Sequence, residues 1–145
     1  MSEITTGKIS IEAPHAKVEE ILSDISQYPA WSSAIKSISI LEKDEKGRTL
    51  SATLTIDAGM MKDRVTLEYD WTKAPQQLSF SLTDADLLTQ MDGAYLITAH
   101  DEENTEVTYE LRVDLSMPIP AMMRHKAEQA TIDMALAQLK TFAEK

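Results

Sequence analysis

The residue types that carry chemistry are sparse in this chain. Three histidines, His15, His100 and His125, fall at irregular intervals, and none has a partner at a ligand spacing such as His-x-x-x-His. No metal site is therefore expected, and no cofactor. Cysteine is absent, which removes thiolate ligands, disulfides and a cysteine nucleophile. There is no glycine-rich phosphate loop and no serine on a nucleophile elbow. What remains is one carboxylate and three phenols. Asp63 shares strand parity with the apolar Val65 near a hairpin, which places it at the rim of an inner face. There it could polarise a ligand or act as a base, against the competing reading of a solvated strand end. Tyr69, Tyr95 and Tyr109 could present hydroxyls to a ligand carbonyl, against the competing reading of ordinary core rings. Asp63, Tyr69, Tyr95 and Tyr109 are thus the candidate catalytic residues, with no role yet fixed.

The elements that position these groups are alternating strands. Leu50, Ala52, Leu54, Ile56 and Ala58 alternate with Ser51, Thr53, Thr55 and Asp57, as a half-buried strand requires. Val65, Leu67, Tyr69 and Trp71 alternate with Arg64, Thr66, Glu68 and Asp70 in the same way. Leu78, Phe80 and Leu82 follow, then a segment around Gly93 to Ala99 with apolar residues on both faces. Val107, Tyr109, Leu111, Val113 and Leu115 alternate with charged or hydroxyl residues. Turns fall at Asp44–Gly47, at Gly59, at Lys73-Ala74-Pro75 and at Asp101–Asn104. Ahead of this meander lie a first strand, Ile4 to Glu12, and a helix opened by Pro14 with Val18, Ile21, Leu22 and Ile25 on one face. Ser26 is placed to cap a second short helix around Tyr28-Pro29, and Trp31 is expected where these helices close one end of the sheet.

The last quarter, from Pro118, is the one segment long enough for a major helix. It has no further glycine or proline after Pro120 and is rich in helix formers. Ile119, Met123, Ala127, Ala130, Met134 and Ala137 form one stripe; Ile132, Ala135, Leu136, Leu139 and Phe142 form a second, nearly opposite. A helix apolar on so much of its circumference needs a large apolar surface to hold it. The order is therefore strand, two short helices, six strands, long helix. Seven antiparallel strands curl under their own twist, and the long helix can fill the concave side. The fold class is α+β, and residues 1–145 are expected to form one domain.

Composition narrows the function classes. The formal charge of −10 opposes nucleic acid and anionic membranes, which call for a basic patch. The opening MSEITTGKISIEAP lacks an apolar signal core, and no apolar run reaches spanning length, so a soluble cytoplasmic protein without stable membrane insertion is expected. Methionines crowd the second two-thirds of the chain, at Met60, Met61, Met91, Met117, Met122, Met123 and Met134. Such side chains adapt to irregular apolar shapes and suit the lining of a flexible cavity.

The succession IEAPHAKVEEILSDISQYPAWSSAIKSISILE resembles the opening of polyketide cyclase/dehydrase-type proteins of the START-like (SRPBCC) superfamily. Its marks are the proline-led helix, the segment Asp24-x-x-x-Tyr28-Pro29-x-Trp31 and the isoleucine-rich strand behind it. MKDRVTLEYDW, DGAYLIT, TEVTYELRVDL and PIPAMMRHKAEQATIDMALAQLK resemble the later strands and terminal helix of the same family. The resemblance implies a helix-grip fold, with a seven-stranded curved antiparallel sheet wrapped around the C-terminal helix. It also implies an apolar cavity between them for a lipid, isoprenoid or polyketide. On strand parity the lining would include Leu54, Ile56, Val65, Leu67, Tyr69, Trp71, Tyr109 and Leu111, to which the methionine clustering adds Met60 and Met91 and the candidate hydroxyls add Tyr95. The helix would add Met123, Ala127, Ala130 and Met134. Such a pocket should accept molecules of roughly 300–1,000 Å³. Binding, and with it transport, of an apolar small molecule leads, because no acid–base pair is evident among the inward residues. A metal-independent cyclase or dehydratase is the alternative, and a module that docks an unknown protein partner through the outer sheet face is the third.

Overall fold

A computed structural model describes residues 4–58, 62–117 and 119–145. Strand β1 (Thr5–Ile11) leads into helix α1 (His15–Ser23), a 3-10 turn (Ile25–Gln27) and the one-turn helix α2 (Tyr28–Trp31). Six strands follow: β2 (Ile35–Lys43), β3 (Thr49–Asp57), β4 (Lys62–Asp70), β5 (Gln77–Ala85), β6 (Leu88–Ala99) and β7 (Thr105–Leu115). Helix α3 (Ala121–Ala143) ends the chain. The strands form one antiparallel sheet in the order β1-β7-β6-β5-β4-β3-β2. Only the β1–β7 pairing is non-sequential, and the helices between β1 and β2 carry the chain from one sheet edge to the other.

Alternation decides which face is inside. In β4, Asp63, Val65, Leu67 and Tyr69 are buried while Lys62, Arg64 and Glu68 are exposed. In β7, Thr105, Val107, Tyr109, Leu111 and Val113 are buried. Register shifts interrupt β2–β3 at three places, β4–β5 at Thr66/Leu67 and β6–β7 at Leu88/Gln90. Such irregularities raise local twist and let a long sheet coil around a helix.

Three local expectations change. Strand β6 begins at Leu88 rather than near Gly93, because its pairing with β7 runs on to Leu115. Ser26 does not cap the short helical stretch; its hydroxyl donates to Asp24 Oδ1 at 2.8 Å. Pro118 lies outside the described residues, as do Gly59, Met60 and Met61, and α3 starts behind Pro120.

The gripping helix differs most from its apolar pattern. Its buried residues are Arg124, Glu128, Ile132, Ala135, Leu136, Leu139 and Ala143. The shorter stripe therefore faces the sheet and continues toward the N-terminus as a charged pair. On the longer stripe Met123 is 50% exposed, Ala130 and Ala137 are exposed, and Ala127 and Met134 are half-buried. Alanine and methionine are good helix formers at a water-facing position, so their presence there does not mark a core. Where α3 crosses β1, only glycine fits: a Cβ on Gly7 would lie 2.5 Å from Ile132 Cγ2.

The charged pair is held by a network of hydrogen bonds. Glu128, with 0% exposure, accepts from Thr5 Oγ1 (2.6 Å), the Val113 backbone N–H (2.7 Å) and Arg124 Nη1 (3.0 Å). His125 Nδ1 is 2.9 Å from Thr5 Oγ1, and its Nε2 is 3.3 Å from Arg124 Nη2. These contacts fit His125 donating from Nδ1 to Thr5 and accepting from Arg124 at Nε2, while Thr5 donates to Glu128. The cluster ties the first half of α3 to β1 and β7. A buried carboxylate so paired fixes the helix in place rather than adding much net stability.

Candidate functional site

Between the sheet and α3, on the side away from β1, a partly open cavity remains. Its walls are Tyr28, Ser32, Ala34 and Ile35 from α2 and the start of β2; Leu54, Ile56, Leu67 and Tyr69 from β3 and β4; and Phe80, Met91, Tyr95 and Tyr109 from β5 to β7. Thr131 and Ala135 of α3 close it. No charged side chain is among them. The space that water-sized atoms can reach is about 60 Å³. That is well below the roughly 300–1,000 Å³ of typical small-molecule sites, so a ligand must part side chains to enter.

Local structure explains the lining. Ala135 sits one helical turn after Thr131, so α3 offers small side chains to the cavity. Rings occupy the opposite wall: Tyr95 and Tyr109 stack at 4.2 Å, and Phe80 stands 6.3 Å from Tyr69 and 6.5 Å from Tyr109. Rings of this size meet edge-on or offset and leave gaps that aliphatic chains would fill. Gly93 is part of the design, since a Cβ there would run into the Phe80 ring and the Glu110 carbonyl oxygen.

The hydrogen-bonding side chains of the cavity wall are all hydroxyls. Tyr28 Oη donates to the Leu22 carbonyl at 2.5 Å, and Thr131 Oγ1 donates to that of Ala127 at 2.9 Å. The Tyr95 and Tyr109 hydroxyls are close enough to influence each other's ionisation. Burial pushes the pKa of Tyr28, Tyr69, Tyr95 and Tyr109 well above that of a free phenol, because the charged form loses its hydration. Each stays protonated at neutral pH. These groups can donate hydrogen bonds; they are not poised as bases.

The cavity unites seven of the residues expected to line it: Leu54, Ile56, Leu67, Tyr69, Met91, Tyr95 and Tyr109. Val65 and Leu111 are fully buried in the packed core but do not line it. Trp71 is also elsewhere, with its indole N–H donated to the Thr49 carbonyl (2.6 Å) and the Arg48 guanidinium 5.4 Å above its ring. Met123, Ala127, Ala130 and Met134 lie on the flank of α3 that does not line the cavity. Met60 is outside the described residues. Asp63 is buried, yet its carboxylate accepts the backbone N–H groups of Arg64, Asp86, Leu87 and Leu88 at 2.7–3.2 Å. It fastens the β5–β6 turn and does not face the cavity. His15 and His100 are exposed, and His125 belongs to the Glu128 cluster.

Tyr28, Ser32, Ala34, Ile35, Phe80, Thr131 and Ala135 are lining residues that strand parity did not supply. Phe80 was legible, since it alternates with Ser79 and Ser81. Thr131 and Ala135 share the stripe of Leu139, which also could have been followed. The α2 residues carry no periodic signal, because one turn is too short to show a face.

No helix among the described residues is long and apolar enough to cross a membrane. A search of curated proteins finds no match. Among solved structures, a START superfamily protein from Mycobacterium smegmatis superposes with a TM-score of 0.91 at 20% identity, over 97% of both chains. The Zhui aromatase/cyclase of a Streptomyces species gives 0.77 at 17% identity, over 98% of this chain and 93% of the other. A Thermus thermophilus protein gives 0.81 at 20% identity, over 96% and 95%. At these identities the likeness establishes the START-like, helix-grip fold. The profile of one family, described as polyketide cyclase / dehydrase and lipid transport, matches residues 11–140. The chain belongs to the polyketide cyclase/dehydrase and lipid transport family, whose description spans ligand binding and cyclase chemistry alike.

Proposed function

We propose that this protein binds an apolar small molecule between sheet and α3, as a carrier or binding protein. The observation that carries the reading is a cavity whose walls hold rings, aliphatic chains and hydroxyls but no charged side chain. Such a lining favours apolar surface and gives an ionised group no partner. The binding reading leads over catalysis because no carboxylate or histidine reaches the cavity and its phenols are held protonated. Catalysis of ring closure is the second reading, favoured by the hydroxyls alone: a poly-carbonyl chain can be folded by shape and a few donors.

The small free volume makes admission part of the function. Met91, with its unbranched side chain, and the Phe80 ring are the parts of the wall best able to move. Native mass spectrometry of protein purified from its source, followed by solvent extraction, tests the reading. A stoichiometric, uncharged apolar mass is expected. Apo protein throughout, together with no uptake of any apolar compound, would remove the binding reading. Conversion of an added poly-carbonyl chain to a cyclised product, slowed by Tyr→Phe changes at 69, 95 or 109 and indifferent to chelators, would promote the second.

A further inference from the structure

Ser32 is 4% exposed and Tyr69 8% exposed, and both side chains line the cavity. Two hydroxyls of the cavity, those of Ser32 and Tyr69, make no hydrogen bond among the described residues. Their neighbours differ in this respect, since Tyr28 and Thr131 spend their hydroxyl protons on backbone carbonyls. The fully occluded polar side-chain atoms without a partner among the described residues are Trp31 Nε1 and Arg112 Nε, so the Ser32 and Tyr69 oxygens remain open to the cavity space and can be served there by water. Pure hydrocarbon binding would expel that water and leave both hydroxyls with no partner, which is costly. A ligand that brings its own oxygen atoms removes the cost.

The charge of that oxygen follows from the walls. The nearest guanidinium on α3, Arg124, is engaged with Glu128 and His125 and does not line the cavity. A carboxylate or phosphate would enter without a counter-ion and lose its hydration. A carbonyl or hydroxyl oxygen costs far less to dehydrate and accepts from a serine or phenol equally well. We infer that the ligand is an uncharged, oxygen-bearing apolar molecule, and that Tyr69 and Ser32 select it by donating hydrogen bonds to its carbonyl or hydroxyl oxygens. This rests on the binding reading above and narrows it from apolar compounds in general to neutral ketones, esters, quinones or alcohols.

The test uses three rigid probes of similar size: indane, 1-indanone and 2-indanecarboxylate, titrated at neutral pH and followed by backbone amide chemical shifts. Wild-type protein should bind the ketone roughly three- to tenfold more tightly than the hydrocarbon, the worth of one net hydrogen bond. The carboxylate should bind more weakly than either. Tyr69→Phe or Ser32→Ala should bring the ratio of ketone to hydrocarbon affinity down toward one, whichever hydroxyl the ketone reaches. Amide spectra that keep their dispersion show that the variants are folded. Equal affinity for ketone and hydrocarbon in the wild type, or a ketone preference that survives in the Tyr69→Phe, Ser32→Ala double variant, would overturn the inference while leaving apolar binding intact. Preferred binding of the carboxylate would overturn it too. Failure of all three probes to bind would instead sink the binding reading, and this inference with it.

Discussion

The concave face of the sheet has two regions built on different rules. Over β1 and β7 it is filled: Ile11, Val107, Leu111, Ile132 and Leu139 are fully buried, and Gly7 lets the helix approach to contact distance. Over β3 to β6, and at Tyr109 where β7 borders them, it is lined by Tyr69, Phe80, Tyr95 and Tyr109, and a cavity remains. Branched aliphatic chains interlock to near-crystalline density, whereas rings meeting at 4–6.5 Å centroid distances leave gaps. The difference teaches that one helix is held by one end of the sheet so that the other end can stay open. Under the binding reading proposed above, stability and binding would fall to separate surfaces.

The largest way to break this division is a charge on the filled side. Leu139→Asp should cost several kcal/mol, since an unpaired carboxylate would replace a fully buried side chain. Met134→Asp, on the half-buried flank, should cost about 1 kcal/mol or less by comparison. Thermal melts of both variants check the pair, and similar losses would mean that α3 is not gripped on one face. Next comes a single added carbon or two on each side. Gly7→Ala should destabilise by roughly 1–3 kcal/mol, because Ile132 and the helix backbone behind it must shift. Ala135→Val adds volume where the cavity can receive it, so stability should change by less than about 1 kcal/mol while ligand affinity falls. Denaturant unfolding and ligand titration read the two outcomes.

The smallest effect sharpens the comparison through pH. The cavity tyrosines have folded-state pKa values raised by burial, so their stabilising contribution is fully present below the ordinary phenol pKa of about 10. Above that pH the unfolded chain releases phenolic protons that the folded chain retains, and stability declines. Ultraviolet titration should show no phenolate until the protein unfolds, because all four tyrosines of the chain line the cavity. A tyrosine titrating near pH 10 in folded protein would show a cavity wetter than its walls imply.

Period-2 alternation in β3, β4 and β7, and the proline-led helix start, determined the sheet, its inner face and the C-terminal helix. Those features depend on local steric preference and on burial of one face, both of which a linear pattern records. It also placed five cavity residues inside, Leu54, Ile56, Leu67, Tyr69 and Tyr109, since parity is conserved along a strand. Three things were decided only by tertiary structure. Which stripe of α3 faces inward depended on Arg124 and Glu128, which read as solvent-facing until Thr5, Val113 and His125 are brought around them. Asp63 was inward by parity, yet the turn at Asp86–Leu88 claimed its oxygens with backbone N–H groups far away in sequence. The contribution of α2 to the cavity, through Tyr28 and Ser32, arises because the chain folds that turn against the concave face. A sequence pattern reports which side of its own element a residue occupies. Whether that side meets a helix, a hydrogen-bond donor or an empty space is settled by segments many residues away.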